Sequence, residues 1–263
     1  MATKLLAFCG SKQSGKGVSA SYATALVWRA AGKINEFYLD DTGQIIIKDC
    51  CGKKLSKDMV LDTVDYNVEP ELADILGQMQ NPDPMQLVQH ESLAAPLKEM
   101  MTEVLGIPRQ LVRGNEQARN YQTYYTIGQL RPLVGNGPFA GRTDDTRLTV
   151  REMMQLIGTD IFRKIDPNIW AGRLEERIYG TIEAYHPILI VVTDVRFEEE
   201  RVMIQDKLGG CLIGLTRRPF VDGHASENVS ALVGKCNYVI DNANMSIEQQ
   251  CAALFPILSQ VLQ

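Results

Sequence analysis

Lys16 stands between two glycines in the run AFCGSKQSGKGVSASY, residues 7–22. Gly10 opens the interval, so the pattern reads Gly10-Ser11-Lys12-Gln13-Ser14-Gly15-Lys16. Small residues there let successive backbone N–H groups point inward at phosphate oxygens, and Lys16 reaches the outer phosphates of a nucleoside triphosphate. The chemistry such an arrangement suits is phosphoryl binding and transfer. These loops normally continue with Ser or Thr, whose hydroxyl meets Mg²⁺. Here Gly17 and Val18 follow and Ser19 is the first hydroxyl, which leaves the metal ligand unassigned. A glycine-rich surface turn is the other reading of the same residues.

A second set of residues offers charge and stacking. Arg151 and Arg163 carry guanidinium forks that bind phosphate oxygens in bidentate fashion, as lysine cannot; a surface salt bridge is the alternative for each. Arg131, Arg142 and Arg147 are interleaved with glycines and prolines over residues 125–147, which read as a lid over phosphates or as an ordinary surface loop. Asp194 suits a water of Mg²⁺, a sugar hydroxyl or a structural turn. Arg196 and Glu200 either pair with each other or present their outer edges to a base. Trp170, one of two tryptophans, stacks on a base or fills core. His224 and Glu227, after Arg217-Arg218-Pro219, border an adenine or cap a loop.

These residues need elements to hold them. Lys4–Cys9 is a short apolar run, and after the glycines Val18, Tyr22, Ala25 and Leu26 recur at helical spacing until Gly32. The loop therefore lies between a strand and a helix, whose N-terminus adds positive potential. Residues 37–49 alternate around Asp41-Thr42-Gly43 as a hairpin inserted after the first helix. Residues 62–86 are acidic with Pro70, Pro82 and Pro84, suggesting a short helix between loops. In SLAAPLKEMMTEVLGIP, Pro96 suits a first helical turn, and Gly106 with Pro108 ends it. Thr149 and Glu152 spell a capping box. Beyond it Val150, Met153, Met154, Ile157 and Ile161 form a buried stripe. At about 100° per residue, Arg151, Gln155, Gly158 and Phe162 form a second face, open to a ligand or simply solvated. Residues 188–192 read as a central parallel strand ending in Thr193-Asp194-Val195-Arg196, where ligands gather in doubly wound folds. The helix after it puts Arg196 and Glu200 one turn apart. Residues 211–215 and 238–240 are further strands, and Ser246 caps the last helix.

At 263 residues, 45% apolar and 22% charged, the chain buries a real core as one soluble α/β domain over residues 1–263. A net charge of -5, with dispersed cations, offers no electrostatic footprint for duplex nucleic acid, so no nucleic acid partner is expected. The first strand begins too early for a signal peptide, and no apolar run approaches the roughly 20 residues of a membrane span, so a cytoplasmic protein with no membrane partner is expected. Six cysteines show no metal-type spacing and are expected as free thiols, the Cys50-Cys51 pair being coincidental.

Taken together, GSKQSGKG, LAAPLKEM, TVREMMQLIGTDIFRKIDPNIWAGRL, VVTDVRFEEE, HASENVS and YVIDN occur in an order that resembles the deoxynucleoside monophosphate kinases of tailed bacteriophages. GKG is also similar to the loops of adenylate-kinase-like enzymes. The resemblance implies a P-loop kinase fold, a parallel sheet flanked by helices, with an insertion at about 35–85 and a lid at about 125–147. It implies a homodimer in the host cytoplasm that moves the γ-phosphate of ATP, with Mg²⁺, to a dNMP. It also implies residues 10–19 as the ATP-binding loop. Lys16 then lies at the phosphates, and Arg151, Gly158, Thr159, Arg163, Trp170, Asp194, Arg196 and Glu200 around the monophosphate. Lys16, Arg151 and Asp194 are the implied catalytic residues. Val18 departs from the Thr common in related loops, and nothing carries over to 35–85. A kinase of another small acceptor, such as dephospho-coenzyme A, and a non-catalytic ATP switch remain as alternatives.

Overall fold

The computed structural model describes residues 2–40, 42–60, 84–135, 139–217 and 229–263. Asp41 of the expected hairpin turn, the acidic stretch 62–83, Gly137, Pro138, Arg218, Pro219, His224 and Glu227 lie outside the described residues. The chain forms two compact units, Met1–Ser92 with Leu174–Gln263, and Leu93–Arg173. The strands are β1 (Lys4–Cys9), β2 (Phe37–Leu39), β3 (Ile45–Cys50), β4 (Lys53–Val60), β5 (Val88–Glu91), β6 (Gln122–Thr126), β7 (Arg147–Thr149), β8 (Leu189–Val195), β9 (Cys211–Leu215) and β10 (Tyr238–Ile240).

The first unit is α/β. Its centre is a five-stranded parallel sheet in the order β10-β9-β1-β8-β5. β1 and β8 occupy inner positions, and Leu6, Ala7, Phe8, Cys9 and Leu189 to Val192 are fully buried, as continuous apolar runs in a covered parallel sheet should be. The helix Lys16–Ala30, here α1, follows β1 directly. Ala20, Ala23, Ala25, Leu26, Val27 and Trp28 are all buried on it. Such all-round burial fits its place against β8, β3 and the helix Ile247–Val261. The Trp28 indole N–H is buried without a partner. That costs about 1–3 kcal/mol, less than the roughly 4–6 kcal/mol from burying an indole of 150–250 Å² at about 25 cal/mol/Å².

The hairpin expected at 37–49 is present as antiparallel β2 and β3, and β4 extends it to three strands. β4 escapes a sequence reading because its burial pattern leaves only Leu55 and Met59 inside. β8 also runs further than the apolar residues 188–192: past a register shift that takes in Thr193 and Asp194, Val195 pairs again with Cys9 of β1. Among the described residues no helix is long and apolar enough to cross a membrane.

The second unit packs Ala95–Glu103, Arg109–Arg113, Ile127–Val134 and a long helical run beside the antiparallel pair β6 and β7. Pro96 does sit in the first turn of Ala95–Glu103. Met101, Val112, Ile127, Val150 and Met153 are fully buried in it. Part of the stretch 125–147, expected as a loop, is a helix. Thr126 and Gln129 form a capping box that starts Ile127–Val134, despite Pro132 inside the helix. The long run is α-helical over Val150–Gln155, π-helical over Leu156–Phe162 and α-helical again over Arg163–Ile165. The 100° extrapolation from Arg151 therefore fails beyond Gln155, since π-helix bonds skip five residues and rotate each side chain less.

Candidate functional site

The first unit carries the glycine loop at the carboxyl end of β1, between β1 and the N-terminus of α1, as the spacing requires. Gly15 is the N-cap of α1 with φ 97, and a Cβ there would come within 2.6 Å of the Gln250 amide. Both the left-handed backbone and the close approach demand glycine. The Lys16 ammonium lies across the loop, donating to the carbonyls of Gly10 at 2.8 Å and Ser11 at 2.6 Å and lying 3.4 Å from Ser14 Oγ. Gln13 and Gly17 are exposed at the mouth, and Lys12 and Val18 are half-buried. Ser11, Ser14 and Ser19 are buried.

The Ser19 hydroxyl accepts from Gln250 Nε2 at 2.9 Å and is 0% exposed, so it belongs to the interior rather than to the loop mouth. Gln250 also donates to the Gly15 carbonyl at 3.1 Å. Asn242 donates to the Ser14 carbonyl and to Gln250 Oε1, each at 2.7 Å. Asn242 appears in the sequence only as the last letter of YVIDN, and Gln250 carries no motif at all. Their signal is a polar residue on a helix or strand end that burial forces to find partners.

At the ends of neighbouring strands β5 and β8, Ser92 Oγ donates to Asp194 Oδ2 at 2.6 Å. Arg177 holds this corner from outside, donating to the Ser92 carbonyl at 3.0 Å and pairing with Glu91, whose other oxygen accepts from Thr181 at 2.8 Å. Ser92, Glu91, Arg177 and Thr181 were not legible as site residues. The helix after β8 begins at Glu198, later than expected, so Arg196 precedes it and is not one turn from Glu200 on its face. Glu200, 1% exposed, turns back and accepts from the N–H groups of Arg196 at 2.7 Å and Phe197 at 3.0 Å. The Cys9 thiol, just before the loop, is held below its ordinary range: the Cys236 thiol hydrogen-bonds to it, burial opposes, and the charges of Lys16 and Arg196 add to the lowering. Two cations thus bear on the carboxyl end of β1.

In the second unit, Thr149 and Glu152 satisfy each other in the expected capping box. Burial raises the Glu152 carboxyl, but the Thr149 N–H and the Arg142 guanidinium at 2.6 Å outweigh it and hold the carboxyl below its ordinary range. Arg151 is half-buried in the turn so capped, with Nε 3.4 Å from Asn120 Oδ1. Arg131 pairs with Asp144 at 2.7 Å and donates to the Arg142 carbonyl at 3.1 Å, so two arginines of the expected lid are tied to neighbours. Trp170 is 8% exposed; its indole N–H donates to the Gly158 carbonyl at 2.8 Å, and its ring lies 5.6 Å from that of Phe162. Gly158 itself sits where a Cβ would come 2.7 Å from Leu97. Thr159 is half-buried beside it, and Arg163 donates to the Pro167 carbonyl at 3.2 Å. The structure thus gathers Lys16 with the phosphate loop, Asp194 with Ser92, Arg196 with Glu200, and Trp170 with Gly158.

A family model described as deoxynucleotide monophosphate kinase matches residues 4–249. Among curated proteins none matches. A glycine loop on the central strand of a parallel sheet, a lysine across it and a carboxylate at the end of the adjacent strand are what a phosphotransferase of this kind requires. With the family model spanning nearly the whole length, the chain belongs to the deoxynucleotide monophosphate kinase family.

Proposed function

We propose that the phosphoryl donor is ATP, used with Mg²⁺, and that residues 10–19 bind its triphosphate while Arg151 and Arg163 grip the acceptor dNMP phosphate. The observation that carries this reading is the Lys16 ammonium lying over the loop carbonyls at the N-terminus of α1, where its donors and the helix dipole meet a polyphosphate together. A monophosphate has a second pKa near 6, so at pH 7 its attacking oxygen is already largely anionic and no general base is required. That oxygen forms a bond to the γ-phosphorus as the bond to the β,γ-bridging oxygen breaks, and ADP leaves. Catalysis is then alignment of two anions and neutralisation of the charge between them.

Mg²⁺ fits the residues present. Among the described residues no three His, Cys, Asp or Glu side chains gather to hold a metal, and Mg²⁺ characteristically needs only one or two carboxylates beside substrate phosphates. Asp194, fixed by Ser92, is the carboxylate for it. An ion held there would supply charge neutralisation on the donor phosphates. Trp170 serves the acceptor face from beneath, by fixing the Gly158 carbonyl and so the π-helical turn that carries Thr159. The resemblance extends the proposal to a homodimer working in the host cytoplasm during phage DNA replication. Family membership sets aside a coenzyme-precursor kinase and a non-catalytic switch.

A coupled assay with ATP, Mg²⁺ and a panel of deoxy and ribo monophosphates tests the reading, with Lys16→Ala as its control. Wild type is expected to turn over at least one dNMP, and Lys16→Ala to lose nearly all transfer with its circular dichroism intact, because the lysine stabilises transition-state charge rather than the core. Full turnover by the variant would remove the phosphate-loop assignment.

A further inference from the structure

The phosphate loop is held from behind by two buried amides. Asn242, at the end of β10, is 0% exposed, and Gln250, in the second turn of Ile247–Val261, is 1% exposed. Buried amides of this kind persist only when their donors and acceptors are satisfied, and here most of the partners belong to the loop or to its flanks. Asn242 Nδ2 takes the Ser14 carbonyl, Gln250 Nε2 takes the Gly15 carbonyl and the Ser19 hydroxyl, and the two amides bond to each other. Asn242 Oδ1 accepts from the Arg217 N–H at 2.9 Å, and the Arg217 carbonyl accepts from the Ser11 hydroxyl at 2.7 Å.

The direction of these bonds has a consequence for phosphate binding. A trans peptide is planar, with its C=O and the following N–H pointing opposite ways. Drawing the Ser14 and Gly15 carbonyls toward the interior therefore turns the Gly15 and Lys16 N–H groups toward the loop mouth. We infer that Asn242 and Gln250 are positioning residues for the phosphate loop: they aim its N–H groups at the triphosphate and join the loop to Arg217, just after β9. The inference rests on the phosphate-loop reading above. Neither amide touches the nucleotide; each acts through the loop backbone, by removing conformational freedom that binding otherwise has to freeze out.

The test is Gln250→Met, which keeps length and bulk but removes both donors to the loop. Steady-state kinetics, and titration with a non-hydrolysable ATP analogue well below the melting temperature, are the readouts. KM for ATP and Kd for the analogue are expected to rise about five- to twentyfold, the effect of losing one or two anchoring hydrogen bonds, with KM for dNMP within about twofold of wild type. A lower melting temperature with unchanged ATP KM and analogue Kd overturns the inference, because a merely structural amide behaves that way. Where Gln250→Met does not fold, Ser19→Ala decides, since it deletes one partner of Gln250 at little cost in volume. A rise of about threefold in ATP KM supports positioning, and no change overturns it. Full turnover by Lys16→Ala sinks the loop reading itself, whereas a dead Lys16→Ala with a normal ATP KM in Gln250→Met sinks only the positioning role.

Discussion

Ser92 Oγ donates to Asp194 Oδ2 at 2.6 Å and so ties the end of β5 to the end of β8. A carboxylate that organises charge near transferring phosphates works only when held still. Ser92→Ala is expected to lower kcat about tenfold while stability changes by less than about 1 kcal/mol, one ordinary hydrogen bond. Ser92→Thr should restore most of the rate. Measuring kcat and thermal unfolding on both variants checks this, and an unchanged kcat in Ser92→Ala would separate Asp194 from the chemistry.

Arg151→Lys keeps the charge and removes the planar fork. With Arg151 on the acceptor phosphate, kcat/KM for dNMP should drop by about one to three orders of magnitude, as losing a charge-assisted pair of about 1.5–4 kcal/mol requires. KM for ATP should hardly move. Normal kinetics would leave Arg151 with a structural role beside Asn120.

Trp170→Leu tests the underside of the same turn. The indole is nearly fully buried and hydrogen-bonded to Gly158. Its loss is expected to cost about 2–4 kcal/mol, from a partly refilled cavity and an orphaned carbonyl. Denaturant unfolding measures this. A stability within about 0.5 kcal/mol of wild type would show that the ring is not part of the core.

Glu152 makes the second unit acid-sensitive in a defined direction. In the folded chain its carboxyl is held below the ordinary carboxylate range. The unfolded chain therefore binds the proton more readily, so the contribution is complete above about pH 5 and is lost as pH falls through the folded value. Glu152→Gln should flatten this limb of the unfolding profile below about pH 4.5, and Arg142→Met should shift it toward the ordinary carboxylate range. An acid limb unchanged in Glu152→Gln would assign it to other carboxylates.

Reading the sequence located what local chemistry determines. The loop at 10–19, β1, β9, β10, the capping box at Thr149, the cap at Ser246 and the helix start at Pro96 each have their signal within a few residues. The rest depends on partners distant in the chain. β5 is a strand because Gln89, His90 and Glu91 pair with β8, although three polar residues in a row argue against one. The π-helical turn has no local signature, and Gly158 fits there because Leu97 comes close. Ile127–Val134 hides among glycines and prolines because its capping box, Thr126 with Gln129, is short. Ser19 is the first hydroxyl after Lys16, and only the structure shows that Gln250, far along the chain, takes it.

The loop and its amide clamp lie far apart in the chain: the bond from Gln250 to Gly15 spans 235 positions. During synthesis the glycine loop emerges well before Gln250, which follows the whole of Leu93–Arg173. At about 5–20 residues per second, a nascent chain spends roughly ten seconds or more with the loop unsupported. A chain that stops short of residue 250 keeps every residue of the nucleotide motif but lacks part of what shapes it.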